Sequence, residues 1–265
     1  MIAVITGASS GIGEATAWRF AREPGTELVL VARREDRLRD LCGRLPAPAT
    51  WVAADLTEED APGRVLAHVE EHHGRLDCLV NNAGAAWRGS FGEVGYENVK
   101  KTMDLNFDSV VRLTETLLPL LRESAPSSIV NISSTAGRIS RGGAGAYSAS
   151  KFAVAGWTDA LHLEEAANGV HVGLVLPGYI RTEGFPAEEL TGNAMTRWMV
   201  ARPATAAEAI YEAGPGGRAE RYVPRPYALV AALRVLFPGL TRRILGGGVG
   251  EMSVTKTGAD ASDSS

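Results

Sequence analysis

The chain has 265 residues, of which 45% are hydrophobic and 22% charged, an ordinary composition for a globular protein with a sizeable core. A formal net charge of −4 excludes a general attraction to nucleic acid. The two cysteines, Cys42 and Cys78, are too far apart in sequence for a metal or redox motif. With no leader-like N-terminus and no apolar run of about 18 residues, we expect a cytoplasmic protein with reduced thiols.

Short apolar runs alternate with helical patterns along most of the chain. Strands are predicted at 2–5, 27–32, 49–54, 76–80, 129–132 and 170–176. Helices are predicted at 14–22, 34–44, from Thr57 to about 73, at 96–122 with a kink at Pro119, and at about 148–167. Several of the strands are apolar without strict alternation, which is typical of a parallel sheet covered on both faces. The pattern predicts an α/β fold with a doubly wound parallel sheet, a Rossmann-type three-layer sandwich whose ligands bind beyond the carboxyl ends of the strands.

A glycine-rich turn lies between the first strand and the first helix. Its sequence, from Thr6 to Gly13, is T-G-A-S-S-G-I-G. Glycines here allow a tight turn and let the backbone approach a pyrophosphate at the N-terminus of a helix. The spacing is G-x-x-x-G-x-G and differs from the common dinucleotide fingerprint. A simple strand-to-helix turn is the alternative, but the position at the start of a βαβ pattern favours nucleotide binding.

The end of the second predicted strand indicates which dinucleotide is bound. An acidic residue that holds the ribose of NAD is expected about 20 residues after the last glycine, where this chain has Arg33. A guanidinium is suited to the 2′-phosphate of NADP. Arg33 and Arg34 would otherwise simply begin an exposed helix. We therefore expect NADP(H) in preference to NAD(H).

Tyr147 and Lys151 are four residues apart, which places both side chains on one face of a helix. A free phenol has a pKa of about 10, and a nearby ammonium group would lower it. The pair would then act as an acid/base near neutral pH. Ser134 follows the apolar run that ends at Ile132, so its hydroxyl could bond a substrate oxygen beside the phenol. A lone Tyr-x-x-x-Lys spacing is common in helices, and only its companions make it specific.

Taken in order, these motifs resemble the short-chain dehydrogenase/reductase family. The motifs are the glycine turn, Asp55, Asn81-Asn82-Ala83-Gly84, Asn106, Ser134, Tyr147 with Lys151, and Pro177-Gly178 with Thr182. The resemblance is strong over about 1–182 and extends to 225 by layout only. Tyr147 follows Ser134 by 13 residues, the spacing of the family, which selects Ser134 over Ser133.

The resemblance implies roles for the matching residues. The catalytic set would be Asn106, Ser134, Tyr147 and Lys151, with Asn106 holding a water in a proton relay with Lys151. Asp55 would bond the adenine amino group, Asn81 would shape the adenosine side, and Thr182 with the backbone near Ile180 would hold the carboxamide. The cofactor site would comprise Gly7, Ser9, Ser10, Gly11, Ile12, Gly13, Arg33, Asp55, Leu56, Asn82, Ala83, Gly84, Tyr147, Lys151, Pro177, Gly178, Ile180 and Thr182. The resemblance also implies a homodimer or homotetramer formed through the long helices.

The other notable segments carry weaker signals. His68, His72 and His73 follow no zinc-helix order, so we expect no metal. Trp87 and Arg88 line either the substrate mouth or a packed loop. Residues 1–245 are expected to form one domain, with a substrate loop or lid at 183–203, and 246–265 to form a disordered tail. The basic, amphipathic segment 226–245 would pack on the core or a partner subunit, or lie on a membrane surface.

The sequence thus predicts an NADP-dependent oxidoreductase that reduces a carbonyl, or oxidises a secondary alcohol, on a largely apolar substrate. Two alternatives stay open. One is an NAD-dependent alcohol dehydrogenase of the same fold, and the other is a nucleotide-sensing protein without turnover.

Overall fold

A parallel sheet of seven strands forms the centre of the molecule in the computed structural model, which describes residues 1–183 and 199–246. The strands, in chain order, are β1 (Ile2–Thr6), β2 (Glu27–Ala32), β3 (Ala49–Ala53), β4 (Cys78–Asn81), β5 (Ser127–Ile132), β6 (Val170–Pro177) and β9 (Glu220–Val223). A separate short parallel pair is formed by β7 (Tyr179–Ile180) and β8 (Val200–Ala201).

Helices connect the strands. They are α1 (Gly11–Phe20), α2 (Glu35–Arg44), α3 (Ala61–His72), α4 (Phe91–Met103), α5 (Ser109–Glu123), α6 (Gly145–Glu165), α7 (Pro203–Ala213), α8 (Tyr227–Leu236) and α9 (Pro238–Gly246). Within the described ranges, no helix is both long and apolar enough to cross a bilayer. Residues 184–198, most of the predicted substrate loop, and residues 247–265, nearly all of the predicted tail, lie outside the described residues.

The strand order is β3-β2-β1-β4-β5-β6-β9, and every neighbouring pair is parallel. The order reverses between β1 and β4, the point at which such sheets open a crevice for ligands. Two groups of buried apolar side chains cover the sheet, one beneath α1 and α7 and the other beneath α3 and α5. This confirms the predicted doubly wound fold, and it places all the predicted site segments at one edge.

Two helices differ from their predicted limits. Thr57 does not begin α3, because its amide and hydroxyl both donate to the Asp55 carboxylate, at 3.0 and 2.8 Å, and the helix starts at Ala61. Helix α4 begins at Phe91 but is kinked at Gly95, which has a φ of +60°, so the predicted start at 96 directly follows the kink. The helix then changes to a π-helix over Asp104–Asp108 before α5 continues through Pro119. A π-helical turn of this kind is often found at a functional site, and this one contains Asn106.

Candidate active site

The glycine turn brings the N-terminus of α1 to the carboxyl end of β1. Gly7 and Gly11 have φ values of +65° and +60°, which side chains with a Cβ rarely adopt. A Cβ at Gly13 would lie 2.2 Å from the carbonyl oxygen of Gly7. Ile12 packs against the core, so the turn presents its backbone and the hydroxyls of Ser9 and Ser10 outwards. The geometry fits a pyrophosphate at a helix N-terminus.

Thr6 fastens the loop after β4 to this turn. Its hydroxyl donates to the carbonyl of Val80 and accepts the amides of Asn82 and Ala83 at 2.9 and 3.0 Å. The Asn82 side chain donates to the Thr6 carbonyl at 2.9 Å. Asn81, by contrast, is buried and donates inside the fold to Thr114 and Asn131.

Two arginines follow β2, and they have different partners. The Arg34 guanidinium donates to the hydroxyls of Ser9 and Ser10, at 3.0 and 2.8 Å, on the glycine turn. Arg33 is 76% exposed and lies 3.7 Å from the Asp55 carboxylate. Partial burial opposes ionisation of Asp55, but hydrogen bonds from Thr57 and the charge of Arg33 outweigh it and lower the pKa of this carboxyl. Arg34 therefore lies at the glycine turn, whereas Arg33 lies beside Asp55.

Leu56 and the residues after β6 complete the predicted cofactor edge. Leu56 and Ile180 are core residues, so only their backbone can serve a ligand. Gly178 has no room for a Cβ, which would meet the Tyr227 ring at 2.3 Å, and its amide donates to the Val223 carbonyl. Thr182 faces Gly11, since a Cβ added to that glycine would lie 3.2 Å from the Thr182 methyl group. Thr182 thus lies against the glycine turn, while Pro177 and Gly178 contact Ser134 and Tyr227.

Ser133 and Ser134 end β5 and bond to different parts of the site. The hydroxyl of Ser134 donates to the Pro177 carbonyl at 3.2 Å and accepts the Ala136 amide at 3.1 Å. The hydroxyl of Ser133 donates to the Lys151 carbonyl at 2.7 Å and so holds α6 against β5. The Ser134 hydroxyl also lies close enough to the Tyr147 hydroxyl to lower the pKa of that phenol. The structure therefore gives Ser134 the place beside the phenol and gives Ser133 a supporting one.

The electrostatics of Tyr147 differ from the prediction. Burial raises the pKa of the phenol, while the Ser134 hydroxyl and the charge of Arg88 oppose this rise only in part. The Lys151 ammonium lies 6.0 Å from the centre of the Tyr147 ring and donates to the Ile132 carbonyl at 2.9 Å. The expected net lowering of the phenol pKa is not found, because burial outweighs the groups that lower it and Lys151 is not among those groups. The phenol is protonated at neutral pH.

Asn106 and Lys151 face each other across Gly84. A Cβ at Gly84 would lie 3.0 Å from Asn106 Oδ1 and 3.4 Å from Lys151 Nζ. Asn106 is fully buried; its amide bonds both backbone groups of Ala85 at 2.9 Å and donates to Ser150 Oγ at 3.0 Å. Both ends of the amide are occupied, so the side chain joins the π-helix to the loop and to α6. Its predicted part in a water relay stays a prediction.

The burial of Lys151 leads to a prediction about how the stability of the protein depends on pH. Burial lowers the pKa of this ammonium from 10.5 to about 8. Between these two pH values the unfolded chain binds a proton that the native protein has released, so stability rises with pH. We expect the free energy of unfolding to gain up to about 3 kcal/mol from this group between the two pKa values, relative to the variant Lys151→Met. Urea denaturation of both proteins across this range measures it, and a difference that does not change with pH would contradict it.

Other predicted residues have different surroundings. The Trp87 ring lies under the Lys101 ammonium at 4.2 Å. His68 bonds to Thr50 and stacks on His72, and the described residues contain no group of three or more side chains suited to a metal ion. Sequence reasoning missed the contact of Arg34 with the glycine turn and that of Ser150 with Asn106. The adjacency of Arg34 to Arg33 was a signal for the first, but nothing local announces the second.

The comparisons with known proteins agree with this geometry. The family model described as short chain dehydrogenase matches residues 1–191. The chain belongs to the short-chain dehydrogenase family, and it is an oxidoreductase. It is 34% identical over 256 residues to the uncharacterized oxidoreductase YxnA of Bacillus subtilis, covering 92% of this chain and 71% of that protein.

Further relatives and solved structures give the same family. The oxidoreductase UcpA of Salmonella typhimurium is 37% identical over 183 residues, which are 68% of this chain and 69% of UcpA. A short-chain dehydrogenase from Streptomyces avermitilis has a TM-score of 0.74 at 31% identity, covering 92% and 97% of the two chains. Pseudomonas aeruginosa RhlG, solved with NADP, also has a TM-score of 0.74, at 30% identity, covering 83% and 93%.

Proposed function

We propose that this protein is an NADP-dependent oxidoreductase that transfers hydride between nicotinamide and a carbonyl or secondary alcohol, with Tyr147 as the acid/base. One observation carries the proposal: Ser134, Lys151 and the half-buried Tyr147 form a cluster at the same sheet edge as the glycine turn. A binding protein without turnover has no need of such a phenol beside a hydroxyl and an ammonium.

The residues at this edge fit a phosphorylated dinucleotide. The glycine turn would receive the pyrophosphate, and Asp55 the adenosine end. Arg34, already directed at the turn by Ser9 and Ser10, is the better placed of the two arginines for a 2′-phosphate, with Arg33 beside it. RhlG and a variant of actinorhodin polyketide ketoreductase were solved with NADP and NADPH, and their 30% and 29% identity to this chain supports the same choice.

The cofactor supplies hydride chemistry, and the protein supplies placement and electrostatics. In reduction, negative charge develops on the substrate carbonyl oxygen. Ser134 would donate a hydrogen bond to that oxygen, and Tyr147 would give it a proton. Lys151 holds positive charge behind the phenol below a pH of about 8. In this arrangement the proton passes from the phenol to the substrate oxygen and leaves a phenolate at Tyr147.

Tyr147 is protonated at neutral pH, which is the form that a proton donor in carbonyl reduction needs. A protonated phenol can donate at once, whereas oxidation requires a phenolate to accept the proton of an alcohol. The sequence of the predicted substrate loop, 183–203, contains Phe185, Leu190, Met195 and Trp198 and supports a largely apolar substrate. Assembly through α4, α5 and α6 stays a prediction, supported by the exposed Tyr96 and Leu163 on two of these helices.

We expect NADPH to stabilise the protein more than NADH does. A ligand at a hundred times its dissociation constant adds about 2.7 kcal/mol to the free energy of unfolding. Loss of one arginine–phosphate contact removes about 1.5 to 3 kcal/mol of binding energy, so Arg34→Ala and Arg33→Ala should each reduce the advantage of NADPH. Thermal unfolding with each nucleotide measures this.

The control for this experiment is Arg22→Ala, which removes an exposed arginine just beyond the C-terminal end of α1, whereas the glycine turn is at the N-terminal end of that helix. It should leave both responses unchanged. Equal or greater stabilisation by NADH would contradict NADP preference and favour the NAD-dependent dehydrogenase. Absence of any response to either nucleotide would contradict the dinucleotide site itself.

A further inference from the structure

Helices α8 and α9 are joined by Phe237 alone, and this C-terminal helix pair presents apolar side chains to solvent. On α8 the inward face carries Tyr227 and Ala231, which are both 6% exposed. The opposite face carries Leu229, Leu233 and Leu236, which are 66%, 43% and 69% exposed. An amphipathic helix ordinarily turns its leucines toward the core and leaves small or polar residues outside. Here the arrangement is reversed, which indicates that a second surface covers the leucines.

The exposed apolar surface continues across the joint into α9. Phe237, Leu240 and Ile244 are 53%, 59% and 53% exposed. The two helices are in contact, and the Thr241 amide and hydroxyl both donate to the Phe237 carbonyl, at 3.1 and 3.0 Å. The six side chains therefore belong to one connected element. Contiguous apolar surface on this scale marks an interaction site.

The charge of this element identifies the partner. Residues 221–246 contain five arginines and no aspartate or glutamate, although the whole chain has a net charge of −4. Arg221 is paired with Glu212, whereas the ion pairs among the described residues include neither Arg225, Arg234, Arg242 nor Arg243. Arginines beside exposed leucines and phenylalanine are suited to a surface that is both apolar and anionic. A lipid bilayer with acidic headgroups combines these two properties.

The helix pair starts beside the candidate active site. Strand β9 ends at the same sheet edge as β6, and Pro177 pairs with Val223 in that register. The Tyr227 ring, at the start of α8, packs against Gly178, and its hydroxyl donates to the Met199 carbonyl at 3.4 Å. A surface that covers the helix pair would therefore lie beside the entrance to the candidate active site.

We propose that the α8–α9 helix pair, which lies next to the active site, docks the protein on the surface of an anionic lipid bilayer. The leucines and Phe237 enter the boundary between headgroups and acyl chains, and the arginines bind the acidic headgroups. One consequence rests on the proposed function: a substrate dissolved in the bilayer would reach the site without crossing water. Docking itself does not depend on turnover.

Flotation of the full-length protein with vesicles tests the proposal. The vesicles are phosphatidylcholine with or without phosphatidylglycerol, at low and at high salt. We expect flotation only with the anionic vesicles, and less of it at high salt. In Arg242→Gln/Arg243→Gln the partition coefficient should fall by about fivefold for each arginine removed. Leu236→Ser/Phe237→Ser should lose most of the binding.

Matched controls remove the same kinds of side chain elsewhere. Leu163→Ser takes away a leucine of α6 that is 78% exposed, and Arg22→Gln takes away an exposed arginine. Both should float like the unaltered protein, and thermal unfolding confirms that every variant is folded. Failure of the unaltered protein to float, or equal flotation of all variants, would overturn the proposal. Sedimentation velocity gives a further result that would overturn the proposal. If the unaltered protein does not bind vesicles and forms a dimer that dissociates in Leu236→Ser/Phe237→Ser, this surface binds a second copy of the chain.

Discussion

Tyr147→Phe is expected to lower kcat for carbonyl reduction by about a hundredfold to ten-thousandfold, the range associated with loss of a general acid. Phenylalanine keeps the ring and removes only the hydroxyl that would deliver the proton. The partners of Lys151 and Ser133 do not involve this hydroxyl, so the fold of the site is retained. Steady-state kinetics with NADPH and a panel of apolar ketones and aldehydes measure the loss.

Cofactor binding separates this prediction from damage to the protein. The stabilisation by NADPH in thermal unfolding should be the same in Tyr147→Phe as in the unaltered chain. Tyr211→Phe provides the control, because Tyr211, on α7, packs on Phe20 and Arg19 at the C-terminal end of α1 and not on the candidate active site. It should keep full activity. Turnover that survives in Tyr147→Phe would refute the proposed acid, and a chain that binds NADPH but never reduces any carbonyl would favour the sensor.

The fold, and the sheet edge at which the candidate site lies, could be predicted from local sequence patterns. Apolar runs such as Ile2–Thr6 and Val170–Pro177 have a strong strand signal because both faces of a parallel strand are buried. The topology then brings their carboxyl ends to one edge, which is why Gly7, Ser134 and Gly178 could be placed together before any contact was known. These predictions needed only period, turn residues and the rule for parallel sheets.

The pKa of Tyr147, the packing of Asn106 and the exposure of the α8 leucines could not be predicted from the same patterns. The pKa of Tyr147 depends on its burial and on the distance of Lys151 Nζ, and the helical spacing of the pair fixes neither. The π-helix at Asn106 and the contact with Ser150 depend on how three elements pack, and the two partners are 44 positions apart in sequence. The exposure of Leu229 and Leu236 was equally hidden, since an apolar stripe predicts burial, and only the packing of Tyr227 and Ala231 shows which face turns inward.

Ser134→Ala is the second substitution with a large expected effect. The hydroxyl oxygen is held between the Pro177 carbonyl and the Ala136 amide, so its position is fixed before substrate binds, and its one proton would turn from Pro177 to the substrate oxygen. A hydrogen-bond donor positioned at a developing oxyanion contributes about a hundredfold to a thousandfold to kcat. Alanine also removes the partner that opposes the rise in the pKa of Tyr147, so the phenol becomes a weaker acid. We therefore expect a loss in kcat of at least a hundredfold, with the response to NADPH unchanged.

Ser133→Ala is the adjacent control, and it tests the same assignment from the other side. Its hydroxyl is buried and donates to the Lys151 carbonyl, so its loss should reduce the free energy of unfolding by about 1 to 3 kcal/mol. Because Ser133 lies behind α6 and bonds no group of Tyr147, the fall in kcat should be much smaller than for Ser134→Ala. The two variants should thus separate, one losing rate and the other losing stability. If Ser133→Ala loses rate as severely as Ser134→Ala at a temperature where both are folded, the oxyanion contact is assigned to the wrong serine.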